Sequence, residues 1–380
     1  MITFTAATLI LPTLLVYILL PKAGIIIHSK YLKISLSWFI GLVSITFFAF
    51  ILSIILSFFT TSVLYRSVIA SDVLLFFALI ILHKDVADII KRFLNKVRDK
   101  KLIRWKDLVF ISFFLFFSFS FFYPHLAIND EKIYRSPIFW DLHWHVPIMQ
   151  TFVFGDNFPP VNESLSGVPM TYHFFGDLVF AMYESIGLNI VTSINFISSL
   201  AFFFLLITIV GFVQELFPSK NAGFIAAVLT IFSSSGHFLY YFDNISGQSI
   251  YEIAGNILNN TSHPWYASFI GENPLYSGVI FNLFYFVEER HMIFAVIFLI
   301  ICLWFIDKRD KIPNKTLAVI GCLIGAFFLW HIYVTIMLIA ALVFVLIFDS
   351  KKKQTLLILI FSLIFISGQY AYLKNAASSE

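Results

Sequence analysis

Apolar residues in this chain gather into runs that are apolar on every side, at about 2–20, 35–58, 67–82, 107–123, 190–213, 222–241, 291–306, 316–330, 332–348 and 355–371. A helix of about 20 such residues crosses a hydrocarbon layer, so each run predicts a membrane-spanning α-helix. A transmembrane barrel needs strands that alternate apolar with polar residues. Phe110 to Phe122 shows no such alternation, which excludes that architecture. Runs eight and nine form one long run broken only at Trp330-His331-Ile332-Tyr333, and predict a tight hairpin of two short helices. The expected fold is therefore an all-α polytopic integral membrane protein, one transmembrane domain over residues 1–380. It should have about ten transmembrane helices and two long extracytoplasmic loops, at 124–178 and 242–290.

Composition makes lipid a requirement. Hydrophobic residues are 59% of the chain and charged residues 12%, with a mean hydropathy of +0.89 and 48 phenylalanines. A soluble domain holds roughly 45–50% apolar residues, and the excess here is more than a protein core can absorb. The first run, Ile2 to Leu20, lacks a basic leader and a small-residue cleavage site, so it reads as a retained span instead of a signal peptide. Cys302 and Cys322 both fall inside apolar runs, and no disulfide framework is expected.

Charge supplies the orientation. Twenty of the 25 Lys and Arg fall in alternate loops: Lys22, Lys30 and Lys33; nine within 84–106; Lys220; Lys308, Arg309, Lys311 and Lys315; and Lys351 to Lys353. Loops enriched in these residues stay in the cytoplasm. The opposite loops and both termini are then extracytoplasmic, in a multi-pass protein of the cytoplasmic (plasma) membrane. Within 84–106, Val86, Ile89, Ile90, Phe93, Leu94 and Val97 recur at helical spacing opposite Lys91, Arg92, Lys96 and Arg98. That pattern is a basic amphipathic helix lying on anionic headgroups. Membrane lipids are partners on this reading, and no nucleic acid is.

With this topology eight of the ten histidines lie outside: His125, His143, His145, His173, His237, His263, His291 and His331. Many acids share that side, among them Asp130, Glu131, Asp141, Asp156, Glu163, Asp177, Glu288 and Glu289. The densest group is Trp140-Asp141-Leu142-His143-Trp144-His145. On a helix Asp141 and His145 share a face; on a strand Asp141, His143 and His145 do. Either arrangement gathers a carboxylate base, or ligands for a divalent metal ion at Asp141, His143 and His145. Such groups at a membrane edge cost desolvation unless they are used, and the competing use is anchoring at the headgroups.

After Pro159-Pro160 and Gly167 the chain returns to the membrane through His173 and Asp177, spaced i and i+4. One helical face could present both to the first group. Glu288-Glu289-Arg290-His291 opens the seventh run, and a guanidinium at a bilayer edge suits a lipid-linked phosphate. Its structural use would be an ion pair with Glu288 or Glu289. His331 can reach an outward cavity or cap a helix end. The chain has no phosphate-cradling glycine loop, CxxC, HExxH or GxSxG, which leaves nucleotide hydrolysis, structural zinc, zincin proteolysis and elbow-type hydrolysis without support.

The outward Asp141, the segment from Pro159-Pro160 through Gly167-Val168-Pro169-Met170-Thr171-Tyr172-His173 to Asp177, and Arg290-His291 resemble the polytopic glycosyltransferases of the GT-C superfamily. That superfamily includes prokaryotic branches related to the dolichyl-phosphate-mannose mannosyltransferases, and the likeness covers about 107–340. The resemblance implies a polyprenyl-phosphate-linked sugar as donor and an inverting transfer in an outward cavity. It implies Asp141 as the base, Arg290 as a donor-phosphate contact, and His143, His145, His173, Asp177 and His331 as acceptor, phosphate or metal contacts, with His291 as a substrate-binding residue. An aspartate near the acceptor hydroxyl takes its proton as the bond forms, while a cation stabilises the departing phosphate. The chain departs from the family in following Asp141 with histidines, where a second acid is common, and in placing four apolar runs before the loop. A transporter or flippase of a lipid-linked intermediate is an alternative, and calls for ionisable residues at mid-membrane depth that these spans almost lack. A polysaccharide polymerase or ligase is another.

Overall fold

The computed structural model describes residues 2–98, 105–123, 126–129, 132–135, 142–162, 168–170, 172–217, 219, 221–232, 286, 290–349 and 352–377. In chain order they form α1 (Ile2–Lys22), α2 (Lys30–Leu56), α3 (Val63–Ile81), α4 (His83–Arg98), α5 (Trp105–Phe122), β1 (Leu126–Asn129) and β2 (Lys132–Arg135). There follow α6 (Leu142–Phe154), α7 (Phe175–Ser185), α8 (Ile190–Leu216), α9 (Ala222–Phe232), α10 (His291–Lys308), α11 (Asn314–Ala326), α12 (Ile332–Phe348) and α13 (Lys352–Ala377). Seven of them, α1, α2, α3, α5, α8, α10 and α13, are long and apolar enough to cross a membrane.

The other three predicted spans correspond to shorter apolar helices, α9, α11 and α12. The predicted continuation of α9 to 241 lies outside the described residues, as does most of the 242–290 loop. The break predicted at Trp330 and His331 is present, where a 3-10 turn over Phe327–Leu329 ends α11 and His331 caps α12. The two helices do not form a tight hairpin, however. α11 packs mainly on α13, because Gly321 and Gly325 lie one turn apart on its contact face. A Cβ at either would run into the carbonyl oxygens of Ile358 or Ser362. Lipid tails are as apolar as Leu, so close approach through small residues, not hydrophobic transfer, holds such a pair together.

Hydrogen bonds sort the helix ends into two sets. At one end Glu215 of α8 accepts from the His28 and Ser29 amides before α2, both at 2.6 Å. There too Lys22 pairs with Asp85 at 2.7 Å, Lys30 with Asp107 at 3.0 Å, and Arg309 with Asp349. The Thr316 hydroxyl donates to the Ala23 carbonyl at 2.7 Å. These are the loops that carry the lysines, so the alternation read from charge is repeated in the packing. The helix α4 has the predicted apolar stripe, with Ile90 and Leu94 exposed beside Lys91 and Arg92; residues 99–104 of the predicted 84–106 segment lie outside the described residues.

At the opposite end Asp156 accepts from the Ser62 and Val63 amides at 2.9 and 2.7 Å, capping α3. This acid therefore serves the fold, by meeting the unsatisfied amides and positive pole of a helix start. The antiparallel β1–β2 hairpin, which the apolar pattern did not predict, is tied to α8 by the Asn195 amide donating to the Leu126 carbonyl at 2.7 Å. Midway along α3, the buried Asp72 accepts from the Thr8 hydroxyl of α1 at 2.7 Å.

Candidate functional site

The helices α6 and α7 run parallel, linked near their starts by His145 and Asp177 and farther along by Gln150 and Glu184. The first link is an imidazole–carboxylate pair, with Nδ1 of His145 2.8 Å from Oδ1 of Asp177 and both residues buried. An ionised carboxylate only accepts, so Nδ1 of His145 is the donor, and the pair fixes the orientation of the ring. Asp177 lies in the first turn of α7, where the helix dipole favours its negative charge.

His173 precedes α7 by two residues and stacks on Tyr172, with ring centroids 4.0 Å apart. The predicted single helical face for His173 and Asp177 is not what forms: the helix starts only at Phe175, leaving His173 in the preceding turn. Asp177 nevertheless reaches the 142–145 group, as that reading anticipated. His291, the first residue of α10, places its Nε2 3.4 Å from Nε2 of His173. His331, buried at the N-cap of α12, accepts from the Val334 amide through Nδ1 at 3.3 Å. Burial pushes its imidazole below its ordinary value, since removal from water disfavours the charged form. One nitrogen from each of His173, His291 and His331 lies within 4.8 Å of the others.

Two packing features explain why these residues meet. Gly176 faces His291, and a Cβ there would come within 3.0 Å of the His291 Cβ. The starts of α7 and α10 can therefore approach. Beneath the cluster, the buried Trp330 ring stacks at 6.0 Å on Phe175, meets Phe294 edge-on at 5.8 Å, and stacks at 5.6 Å on Phe327. Phe175 is two residues from His173, Phe294 three from His291, and Trp330 adjoins His331. One aromatic floor therefore sets the register of all three histidines.

Arg290, adjacent to His291, is also buried. Its Nη1 donates to Asn195 Oδ1 at 2.8 Å, and its guanidinium lies 5.2 Å from the Phe122 ring centre. Burial lowers its pKa to about 9, which still leaves a cation at neutral pH.

The structure thus brings together His145, Asp177, His173, His291 and His331, while Arg290, next to His291 in the chain, turns its guanidinium to Asn195 and Phe122. Asp141 lies outside the described residues, as do Glu288 and Glu289, and His143 falls within α6 with its side chain outside the described set. The metal group expected at Asp141, His143 and His145 is represented only by His145, whose Nδ1 is engaged by Asp177; the three-histidine cluster is a different set. Sequence reading passed over Asn195 and Gly176 and gave Tyr172 and Trp330 no part in the site. Asn195 carried a signal, as a carboxamide inside a spanning run. A cavity of about 450 Å³ lies at the far ends of α6 and α7, lined by Ser62, Tyr65, Glu184 and Asn189 among others, and none of the clustered histidines lines it. No protein-family model, no curated protein and no solved structure matches the chain.

Proposed function

We propose that the protein transfers a sugar from a polyprenyl-phosphate-linked donor to an acceptor at the extracytoplasmic membrane face. The observation that carries this reading is a buried cation, Arg290, one residue before His291 in a cluster of three imidazoles, with a buried imidazole–carboxylate pair close by, at the end of the bundle opposite the Lys22–Asp85 pair. A lipid-anchored phosphate arrives at that depth, and a preorganised guanidinium held by Asn195 stabilises charge on the departing phosphate without reorganising. The acceptor hydroxyl must lose a proton as the new bond forms. Asp141 is the sequence's candidate base, and among the described residues the imidazole of His145, oriented by Asp177, can do the same work.

The test is transfer of radiolabelled sugar from polyprenyl-phosphate donors in membranes containing the wild type, Asp141→Asn, Asp177→Asn or Arg290→Lys. Loss in all three variants is the expected result. Unchanged transfer by Asp141→Asn would remove that residue from the mechanism, and absence of transfer from every such donor by the wild type would end the proposal.

A further inference from the structure

We infer that His173, His291 and His331 bind one first-row transition-metal ion of the zinc type, with one coordination position left open for an anionic oxygen. The inference is independent of the sugar-transfer reading. It starts from spacing: metal–nitrogen bonds of about 2.0–2.1 Å in a tetrahedral site place neighbouring donors about 3.4 Å apart. Nε2 of His173 and Nε2 of His291 are 3.4 Å apart. The His331 donor lies within 4.8 Å of both, so reaching the tetrahedral spacing takes a ring movement of at most about 1.4 Å.

Donor chemistry selects the ion. Three imidazoles suit zinc, cobalt, nickel, copper or iron, whereas magnesium and calcium take oxygen ligands. Support for each ligand is built in: Tyr172 under His173, Gly176 making room for His291, and Trp330 beside His331. Ligation through Nε2 of His331 moves its proton to Nδ1 and gives up the 3.3 Å bond from the Val334 amide, a long bond whose net value is on the order of 1 kcal/mol or less.

Electrostatics adds the open position. The three histidines lie at the starts of α7, α10 and α12. The positive poles there repel a bare cation. A metal that carries an anionic oxygen, such as that of a phosphate, offsets that repulsion, and Asp177, paired with His145 whose ring centre lies 5.2 Å from that of His291, adds negative charge nearby.

The test uses the full chain in detergent, without a histidine-rich tag, stripped by chelator and titrated with Co²⁺. The wild type should bind about one Co²⁺, with the visible bands of a four- or five-coordinate ion. Zn²⁺ should displace it and Mg²⁺ should not. His331→Asn retains a good helix cap and His291→Asn is the second variant; each should weaken binding more than about 100-fold, beyond the loss typical of an outer-sphere change. His28→Asn, at the opposite end of the bundle, should bind as the wild type does. Zn²⁺ should raise the wild-type Tm and leave those of the two ligand variants unmoved, and inorganic phosphate should shift the Co²⁺ bands. Equal Co²⁺ binding by wild type, His291→Asn and His331→Asn, or no saturable binding by the wild type, would overturn the site. Bands indifferent to phosphate would overturn the open position. Every one of these readouts is independent of whether sugar transfer is ever observed.

Discussion

The two ends of this helix bundle are both polar, but in opposite senses. At the lysine end, Lys22 and Asp85 form an ion pair while remaining 48% and 37% exposed. At the histidine end, His291 and His331 are 9% and 4% exposed, and a carboxylate and a guanidinium are buried beside them. Charges in water cost nothing to keep and are worth little as pairs. Withdrawn polar groups cost on the order of several kcal/mol each unless partners meet them. The lysine end can therefore set orientation by number alone, whereas the histidine end has to be assembled from specific contacts, as a site is.

If that contrast is right, the largest loss should come from the aromatic floor. Trp330→Ala removes the ring shared by Phe175, Phe294 and Phe327, and should destabilise the protein by about 3–5 kcal/mol, the range for deleting a buried Trp or Phe. Thermal unfolding in detergent measures it, and a change below about 1 kcal/mol would mean that the three histidine-bearing segments are registered by something else. Next in size is Asp177→Ala. It leaves the buried Nδ1–H of His145 without its acceptor, a loss of about 1–3 kcal/mol, while Asp177→Asn keeps an acceptor and should cost less. Both should lower sugar transfer by about 10²–10⁴-fold if His145 acts as the base. A smaller effect is expected of Gly176→Ala. Its methyl group would press on the His291 Cβ, for about 1 kcal/mol at the lower end of overpacking losses, and should weaken Co²⁺ binding with little change in helix content.

Much of the fold was legible because lipid makes each span declare itself: with no water to satisfy the backbone, a crossing segment must be a long apolar helix. The spans at α2, α8 and α10 read directly for that reason, and the charge alternation predicted which loops would share an end. The α11–α13 contact was less legible. Two glycines in an apolar run mark a contact face but do not name the partner. The site was read in pieces. His173, Asp177, Arg290, His291 and His331 were candidates on residue type and sidedness, yet their grouping depends on contacts more than 100 residues apart, such as His173 with His291. Spacing along the chain contains no such information, and for that reason it favoured Asp141, His143 and His145 as the metal group. The packing roles of Gly176 and of Trp330, which was read only as part of a break between runs, were hidden because a small residue and an aromatic are unremarkable in a membrane helix until the neighbour they serve is known.

The smallest effect should be found at the lysine end. Lys22→Ala breaks a 2.7 Å ion pair with Asp85, shorter than several contacts in the histidine cluster. Distance alone would rank it among the stronger interactions. Exposure reverses that ranking: both partners keep a large share of their hydration, ions screen what remains, and fixing two side chains costs entropy, so the expected loss is under about 1 kcal/mol. A double-mutant cycle with Asp85→Ala measures the pair term directly. Reporter fusions in the 124–178 loop should report the same side of the membrane in Lys22→Ala as in the wild type, because orientation follows the sum of many lysines and arginines, not the geometry of one pair. A coupling of several kcal/mol, or an inverted reporter, would show that the lysine end too is a specifically assembled structure, and the contrast between the two ends would fail.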